Sequence, residues 1–186
     1  MQVTPTPIDG LLIVQPKRHG DARGWFSEVY SRPAFQAVGL DFDFVQDNHS
    51  MSGPIGTLRG LHYQRPPFAQ TKLVRCTRGA IFDVAVDVRA GSPSYGKWYG
   101  VDLTAENGLQ LLVPVGFLHG FITRSEGAEV QYKVTAPYAP ECDGGIAWDD
   151  PDISIDWGVT APVLSGKDAI APRLAAFQSP FTYGAA

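Results

Sequence analysis

Cysteine and histidine are scarce in this chain. Cys76 and Cys142 are the two cysteines among 186 residues, and they form neither zinc-type spacing nor a disulfide framework. The four histidines are His19, His49, His62 and His119, with no His-x-His and no His-x-x-x-His pair. A metal centre needs three or four converging ligands, so no metal is expected. Positive charge is not in excess: 15 Lys and Arg against 19 Asp and Glu leave a net charge of −4. Without a basic stripe, nucleic acid is excluded as an electrostatically favoured partner. A small phosphate-bearing substrate held by a few arginines remains compatible. No apolar run approaches the roughly 20 residues of a membrane span, so no membrane partner is expected. The opening MQVTPTPIDG lacks the basic and apolar regions of a secretory leader. A cytoplasmic protein is the expectation.

Three catalytic devices are missing as well. No serine sits in a Gly-x-Ser-x-Gly elbow, neither cysteine neighbours a histidine, and no glycine-rich phosphate loop opens a helix. Covalent catalysis and a dinucleotide cofactor are therefore unsupported, and no cofactor is expected.

Turn formers are plentiful. Twenty glycines and fifteen prolines recur along the chain, which suits many short strands rather than long helices. The clearest strand is Ile81–Val88, where Phe82, Val84, Val86 and Val88 alternate with Asp83, Ala85 and Asp87. That period of two predicts a half-buried strand. Further strand-like runs are Leu11–Val14, Trp25–Tyr30, Phe42–Ser50, Leu58–Gln64, Thr71–Thr77, Lys97–Leu103, Leu109–Val115, Gly120–Arg124 and Val130–Ala136. A short helix is expected from Ser31 to Val38, capped by Ser31 with Pro33 in its first turn, and a second near Lys167–Phe177. Strands of this length divided by turns predict one all-β, antiparallel jelly-roll domain over residues 1–186, with short helices at its margins.

The remaining chemistry is acid–base. His62 lies in Arg59-Gly-Leu-His-Tyr-Gln. On a regular strand Arg59 would point away from it, and Gly60 permits a bulge that brings both to one side. A histidine merely hydrogen-bonded in a barrel wall fits that spacing about as well as a catalytic one. Tyr132 shares a strand face with Val130 and Val134, where a tyrosine is more often core. Lys72 shares a face with Val74 and Cys76, and an ammonium on an apolar face either serves an anion or snorkels to water. His19 and His49 receive no catalytic role.

Taken in order, several segments resemble the dTDP-4-dehydrorhamnose 3,5-epimerase family, the RmlC-like cupins. They are Asp21-Ala-Arg-Gly-Trp-Phe-Ser-Glu, Phe44-Val-Gln-Asp-Asn-His-Ser, Leu58-Arg-Gly-Leu-His-Tyr-Gln and Lys72-Leu-Val-Arg. Pro114-Val-Gly-Phe-Leu-His-Gly-Phe, Tyr132-Lys-Val, Tyr138, Ile146-Ala-Trp-Asp-Asp-Pro and Leu164-Ser-Gly-Lys-Asp continue the series. The matching core runs from about residue 9 to 175. The resemblance implies a homodimeric jelly roll acting on a dTDP-linked 4-keto-6-deoxyhexose, without metal or cofactor. It implies His62 as base, Asp168 as its carboxylate partner and Tyr132 as acid. Arg23, Phe26, Glu28, Gln46, Asn48, Arg59, Lys72, His119, Asp143 and Lys167 fall at ligand-contact positions, and Tyr138 at the ring that stacks on thymine. Asp143 stands where the family often has glutamate, Met51 and Ser52 where a basic residue is common, and Trp25 where phenylalanine or valine is frequent.

The chemistry fits these groups. Removing a hydrogen beside a ketone leaves an enolate. An imidazole is a suitable base near neutrality, an orienting carboxylate stabilises the imidazolium, and Lys72 is the candidate to stabilise the oxyanion. Inversion returns a proton to the opposite face, which calls for a separate acid. The expected function is inversion at C3 and C5. Competing readings are a mono-epimerase at C3 or C5 alone, a non-catalytic sugar-nucleotide-binding cupin, and a metal-dependent cupin. The second would be free to lose His62, Asp168 and Tyr132, all of which are present.

Overall fold

The computed structural model describes residues 1–184. Two antiparallel sheets face each other. The first contains β1 (Gln2–Pro5), β2 (Leu12–Gln15), β5 (Gln46–Ser52), β7 (Lys72–Arg78), β10 (Gln110–Val113) and β12 (Ala128–Val134), in the order β1-β2-β10-β7-β12-β5. The second contains β6 (Leu58–Gln64), β8 (Ala80–Asp87), β9 (Trp98–Thr104), β11 (Phe117–Thr123) and β13 (Asp143–Gly145), in the order β13-β6-β11-β8-β9. Two more strands, β3 (Arg18–Asp21) and β4 (Gly24–Ser27), pair only with each other. This is the jelly roll that the short-strand pattern predicts.

Alternation decides what lies between the sheets. Val74, Cys76, Leu111 and Val130 of the first meet Ile81, Ala85, Leu103, Phe117 and Phe121 of the second in one apolar cluster. The outer face of the second sheet buries Val84, Val86, Leu118 and Ile122 against the C-terminal residues Ile153, Trp157 and Phe181. Phe35 and Leu40 cover Leu73 and Leu112 on the outer face of the first. Each fully buried side chain of this size contributes about 1.5–3 kcal/mol. Among the described residues no helix is long and apolar enough to cross a membrane.

Four expectations need correction. The strand from Ile81 is not half-buried: Asp83 and Asp87 on its second face are fully buried, because that face looks into the sandwich while the C-terminal segment covers the other. Residues 42–45 precede β5 rather than forming it, as Phe42 and Phe44 turn to pack beside Tyr30. The helix α1 (Arg32–Gln36) has Ser31 at its N-cap, but the hydroxyl makes no capping bond. The second helix divides into α2 (Gly166–Ala169) and a separate turn at Leu174–Ala176, because Pro172 lies between and has no N–H to continue the ladder. The pairs β1 and β3 were not legible, being four residues each and largely exposed.

Candidate active site

One end of the sandwich opens into a cleft of about 420 Å³ lined by Arg59, His62, Lys72, His119, Tyr132 and Asp168, with Leu58, Phe121 and Val163 as apolar walls. A second hollow of about 340 Å³ shares His62, Lys72 and Tyr132 with it and adds Gln46, Asn48, Tyr138, Asp143 and Lys167. The three proposed proton-handling and oxyanion groups therefore stand at the junction.

The bulge allowed by Gly60 is present. Leu61 packs outward against the C-terminal cluster, while Arg59 and His62, three apart, both line the cleft. The ladder between β6 and β11 shifts register between His119 and Phe121. Gly60 has φ +134°, and a Cβ there would lie 2.5 Å from the Gly120 Cα. Only glycine tolerates both the conformation and the approach. Arg59 is steadied by the Ser52 hydroxyl at 3.1 Å and the Met51 main-chain carbonyl at 3.2 Å, so of the two departures after Ser50 the Ser52 side chain supports it.

Asp168 reaches His62 from a capped turn. The Thr57–Val163 bridge and the Leu58 N–H bond to the Val163 carbonyl hold the incoming segment against β6. The Ser165 hydroxyl then accepts the Asp168 N–H at 3.1 Å, an N-cap that fixes the first turn of α2. Asp168 is buried, and its Oδ1 lies 2.5 Å from His62 Nε2. Burial alone would raise this carboxyl; the hydrogen bond and charge of His62 outweigh it, and the pKa is lowered. A carboxylate accepts, so Nε2 carries the proton and the Nδ1 lone pair is left to take one.

Opposite, Tyr132 and Lys72 come from neighbouring strands of the first sheet. Burial raises the Tyr132 pKa, with Arg59 opposing and Asp143 adding to it, so the hydroxyl stays protonated and able to donate. Burial lowers Lys72 from 10.5 to about 8, with Asp83 and then Asp143 opposing that fall and Lys167 adding to it. The snorkelling alternative is not what the structure holds: the ammonium faces the cleft.

Toward the second hollow, Gln46 donates to Asn48 at 2.8 Å and accepts the Tyr138 N–H at 3.1 Å. Gln64 clamps the same loop by accepting the Ala139 N–H and donating to the Pro137 carbonyl. Tyr138 thus presents an exposed ring on a fixed backbone. Asp143 is spent on an ion pair with Lys167.

Three of the expected ligand residues are not brought here. Arg23, Phe26 and Glu28 belong to the β3–β4 hairpin or follow it, and line neither hollow. Arg23 pairs with Asp21 at 2.6 Å with its side chain 90% exposed, and Phe26 is 70% exposed. The hairpin is a sheet of its own, so within one chain nothing folds it over the cleft. Asp83, buried and 2.8 Å from His119, was not singled out. Its signal was an acid inside an apolar alternation. Among the described residues no three His, Cys, Asp or Glu side chains converge as a metal group would require.

Known proteins resemble this chain over nearly its whole length. The family model described as dTDP-4-dehydrorhamnose 3,5-epimerase matches residues 5–176. A dTDP-4-dehydrorhamnose 3,5-epimerase of Sinorhizobium fredii is 55% identical over 92% of this chain and 88% of its own. A solved dTDP-6-deoxy-D-glucose-3,5-epimerase of Legionella pneumophila, in complex with dTDP-4-keto-L-rhamnose, superposes with a TM-score of 0.93 at 44% identity, covering 99% of each chain. A dTDP-4-dehydrorhamnose 3,5-epimerase of Bacillus anthracis with TDP and pyrophosphate bound gives 0.91 at 45%, over 93% of this chain and 99% of its own. With the family matched along nearly the whole chain and the same fold in its solved members, this protein belongs to the dTDP-4-dehydrorhamnose 3,5-epimerase family.

Proposed function

We propose that the chain inverts C3 and C5 of a dTDP-linked 4-keto-6-deoxyhexose by proton transfer beside the ketone. The observation that carries the reading is the His62–Asp168 pair facing Tyr132 and Lys72 across one cleft. His62 Nδ1 takes the hydrogen at the α-carbon, and the C–H electron pair becomes the enolate double bond as charge moves to the ketone oxygen. Lys72 stabilises that oxyanion, a role electrostatics favours in a water-poor site. Tyr132 then returns a proton from the other face. Solvent reprotonates the phenolate and takes the proton from the imidazolium, so no net proton is consumed. Arg59 and Lys167 supply cations for the diphosphate, and Tyr138 a ring for the base.

We also propose a cytoplasmic homodimer of single-domain chains. Trp25 and Phe26, 58% and 70% exposed on the hairpin, support a partner surface there, and Arg23 and Glu28 would then serve a second copy. Sedimentation showing only monomer at micromolar concentration would remove this part.

The test of the activity is incubation with dTDP-4-keto-6-deoxyglucose in deuterated water. Label at both C3 and C5 is expected. Label at one carbon would make the enzyme a mono-epimerase, and label at neither, with dTDP bound, would leave a binding protein.

A further inference from the structure

Asp83 is a buried carboxylate beside the cleft, and the acid–base scheme above leaves it without work. The two carboxylates that line the hollows are matched: Asp168 with His62 and Asp143 with Lys167. Asp83 is fully buried in the middle of β8, on the face that looks between the sheets. Its Oδ1 meets His119 Nε2 at 2.8 Å. Its Oδ2 is buried with no hydrogen-bond partner among the described residues. A buried polar oxygen left unpaired is costly, of order 1–3 kcal/mol or more when charged, so its retention calls for a compensating charge.

The strand ladders show which charge is within range. Asp83 pairs with Phe121 of β11, and His119 stands two residues along on the same face. Lys72 projects from β7 into the cleft that His119 lines. The charged and titratable groups around Lys72 are Asp83 from β8, Asp143 from β13, Lys167 from α2, His119 from β11, Arg59 and His62 from β6, and Tyr132 from β12. Asp143 is engaged by Lys167, Asp168 by His62 and one oxygen of Asp83 by His119, which leaves Asp83 Oδ2 as the carboxylate oxygen without a partner among the described residues. Among neighbouring charges, Asp83 acts most strongly to keep the proton on Lys72.

We infer that Asp83 is a positioning residue for the reaction: one carboxylate oxygen fixes the ring of His119, and the other is the buried counter-charge that keeps Lys72 an ammonium. Because Asp83 accepts, His119 holds a proton on Nε2 and turns Nδ1 toward the cleft. Lys72 needs the counter-charge because its burial favours the neutral amine, which could not stabilise an oxyanion. Asp83 therefore lies behind two residues that face the ligand without touching the ligand itself. The catalytic consequence rests on the epimerase reading, while the tautomer and the lysine titration do not.

Asp83→Asn tests this, keeping shape while removing charge and offering an N–H where His119 now donates. The expected result is a fall in kcat of at least about 10-fold, with KM changed by less than about threefold. The alkaline limb of the kcat profile should move to lower pH by about one unit, as loss of a nearby opposite charge requires. In a Lys72→Met background the same substitution should cost far less, since the two act as one unit. An unshifted alkaline limb, or full additivity with Lys72→Met, overturns the inference. A second measurement needs no variant: NMR of the wild-type protein with ¹⁵N-histidine and ¹³Cε-lysine. A proton on His119 Nε2 and a Lys72 ammonium titrating near 8 are expected at and above neutral pH. A His119 protonated only on Nδ1, or a Lys72 already neutral at pH 7, overturns it even if Asp83→Asn does not fold. Failure of the wild type to exchange label at C3 or C5 would instead count against the epimerase reading alone.

Discussion

His62 and His119 stand directly opposite each other in the β6–β11 ladder, and each is tied through Nε2 to its own buried carboxylate, Asp168 at 2.5 Å and Asp83 at 2.8 Å. Two imidazole–carboxylate pairs thus share one cleft wall. Their surroundings separate their roles. The His62 side chain is 30% exposed and sits where the two hollows meet, whereas that of His119 is 9% exposed and lines only the larger one.

His62→Ala removes the base. Turnover should fall by about 10²–10⁴-fold, the usual contribution of a general acid–base group, while dTDP binding by calorimetry changes little. Asp168→Asn should also lose most turnover, since an amide can present its N–H to Nε2 and force the wrong tautomer. Near-normal turnover by His62→Ala would end its assignment.

Tyr132→Phe keeps the ring and removes the proton to be returned. The variant should exchange substrate α-hydrogen with deuterated solvent yet yield little inverted product. Tyr138→Phe should be mild. Tyr138→Ala should weaken dTDP binding by about 1–3 kcal/mol, as loss of base stacking does elsewhere. Normal inversion by Tyr132→Phe, or a large loss on Tyr138→Phe, would show the two roles misassigned.

Lys72 sets an alkaline limit. Its pKa is lowered to about 8 by burial, so kcat/KM should decline as pH rises through that value and the ammonium is lost. The stability effect has the opposite sign. Between about 8 and 10.5 the folded protein has shed a proton that the unfolded chain still binds, and stability from this group rises with pH over that window. Lys72→Met should therefore raise the melting temperature at pH 7 and cut turnover by about 10²–10³-fold, with the stability gain shrinking as pH approaches about 10. A melting temperature lowered at pH 7 would contradict the buried-cation account.

Gly60→Ala should be among the most damaging single substitutions. The new methyl would meet the Gly120 backbone at 2.5 Å at a φ of +134°. Overpacking and strain together predict about 2–5 kcal/mol of lost stability, measured by urea denaturation. A loss under about 1 kcal/mol would mean that the strands separate easily there.

Exhaustive treatment with chelator should leave activity intact. The donor set supports this: the two carboxylates nearest the histidines are committed to them. Inactivation reversed by one added metal would overturn it.

Much of the fold was legible in local pattern. The strand Leu58–Gln64 lies where alternation and flanking turns put it, and Gly60 announced its bulge. Asp83 was visible only as an acid on the supposedly wet face of a strand. Burial on that face depends on a second sheet that no local window contains. The helix expected at 167–177 failed because the stretch packs as two turns around Pro172.

By itself, the sequence determined the class of chemistry and the short-strand architecture. The architecture followed from period-two spacing, and the class of chemistry from the ordered motifs that carry the family resemblance, both of which survive in one dimension. Only the tertiary structure decided which groups meet. His62 and Asp168 are separated by 106 positions, and their contact requires the strand at Thr57 to hold Val163 beside it. It decided, too, that Arg23, Phe26 and Glu28 stand outside the cleft of their own chain. Their hairpin makes its ladder bonds within itself. Side-chain direction comes from the local backbone, but proximity across a sandwich comes from packing, and packing is a property of the whole chain.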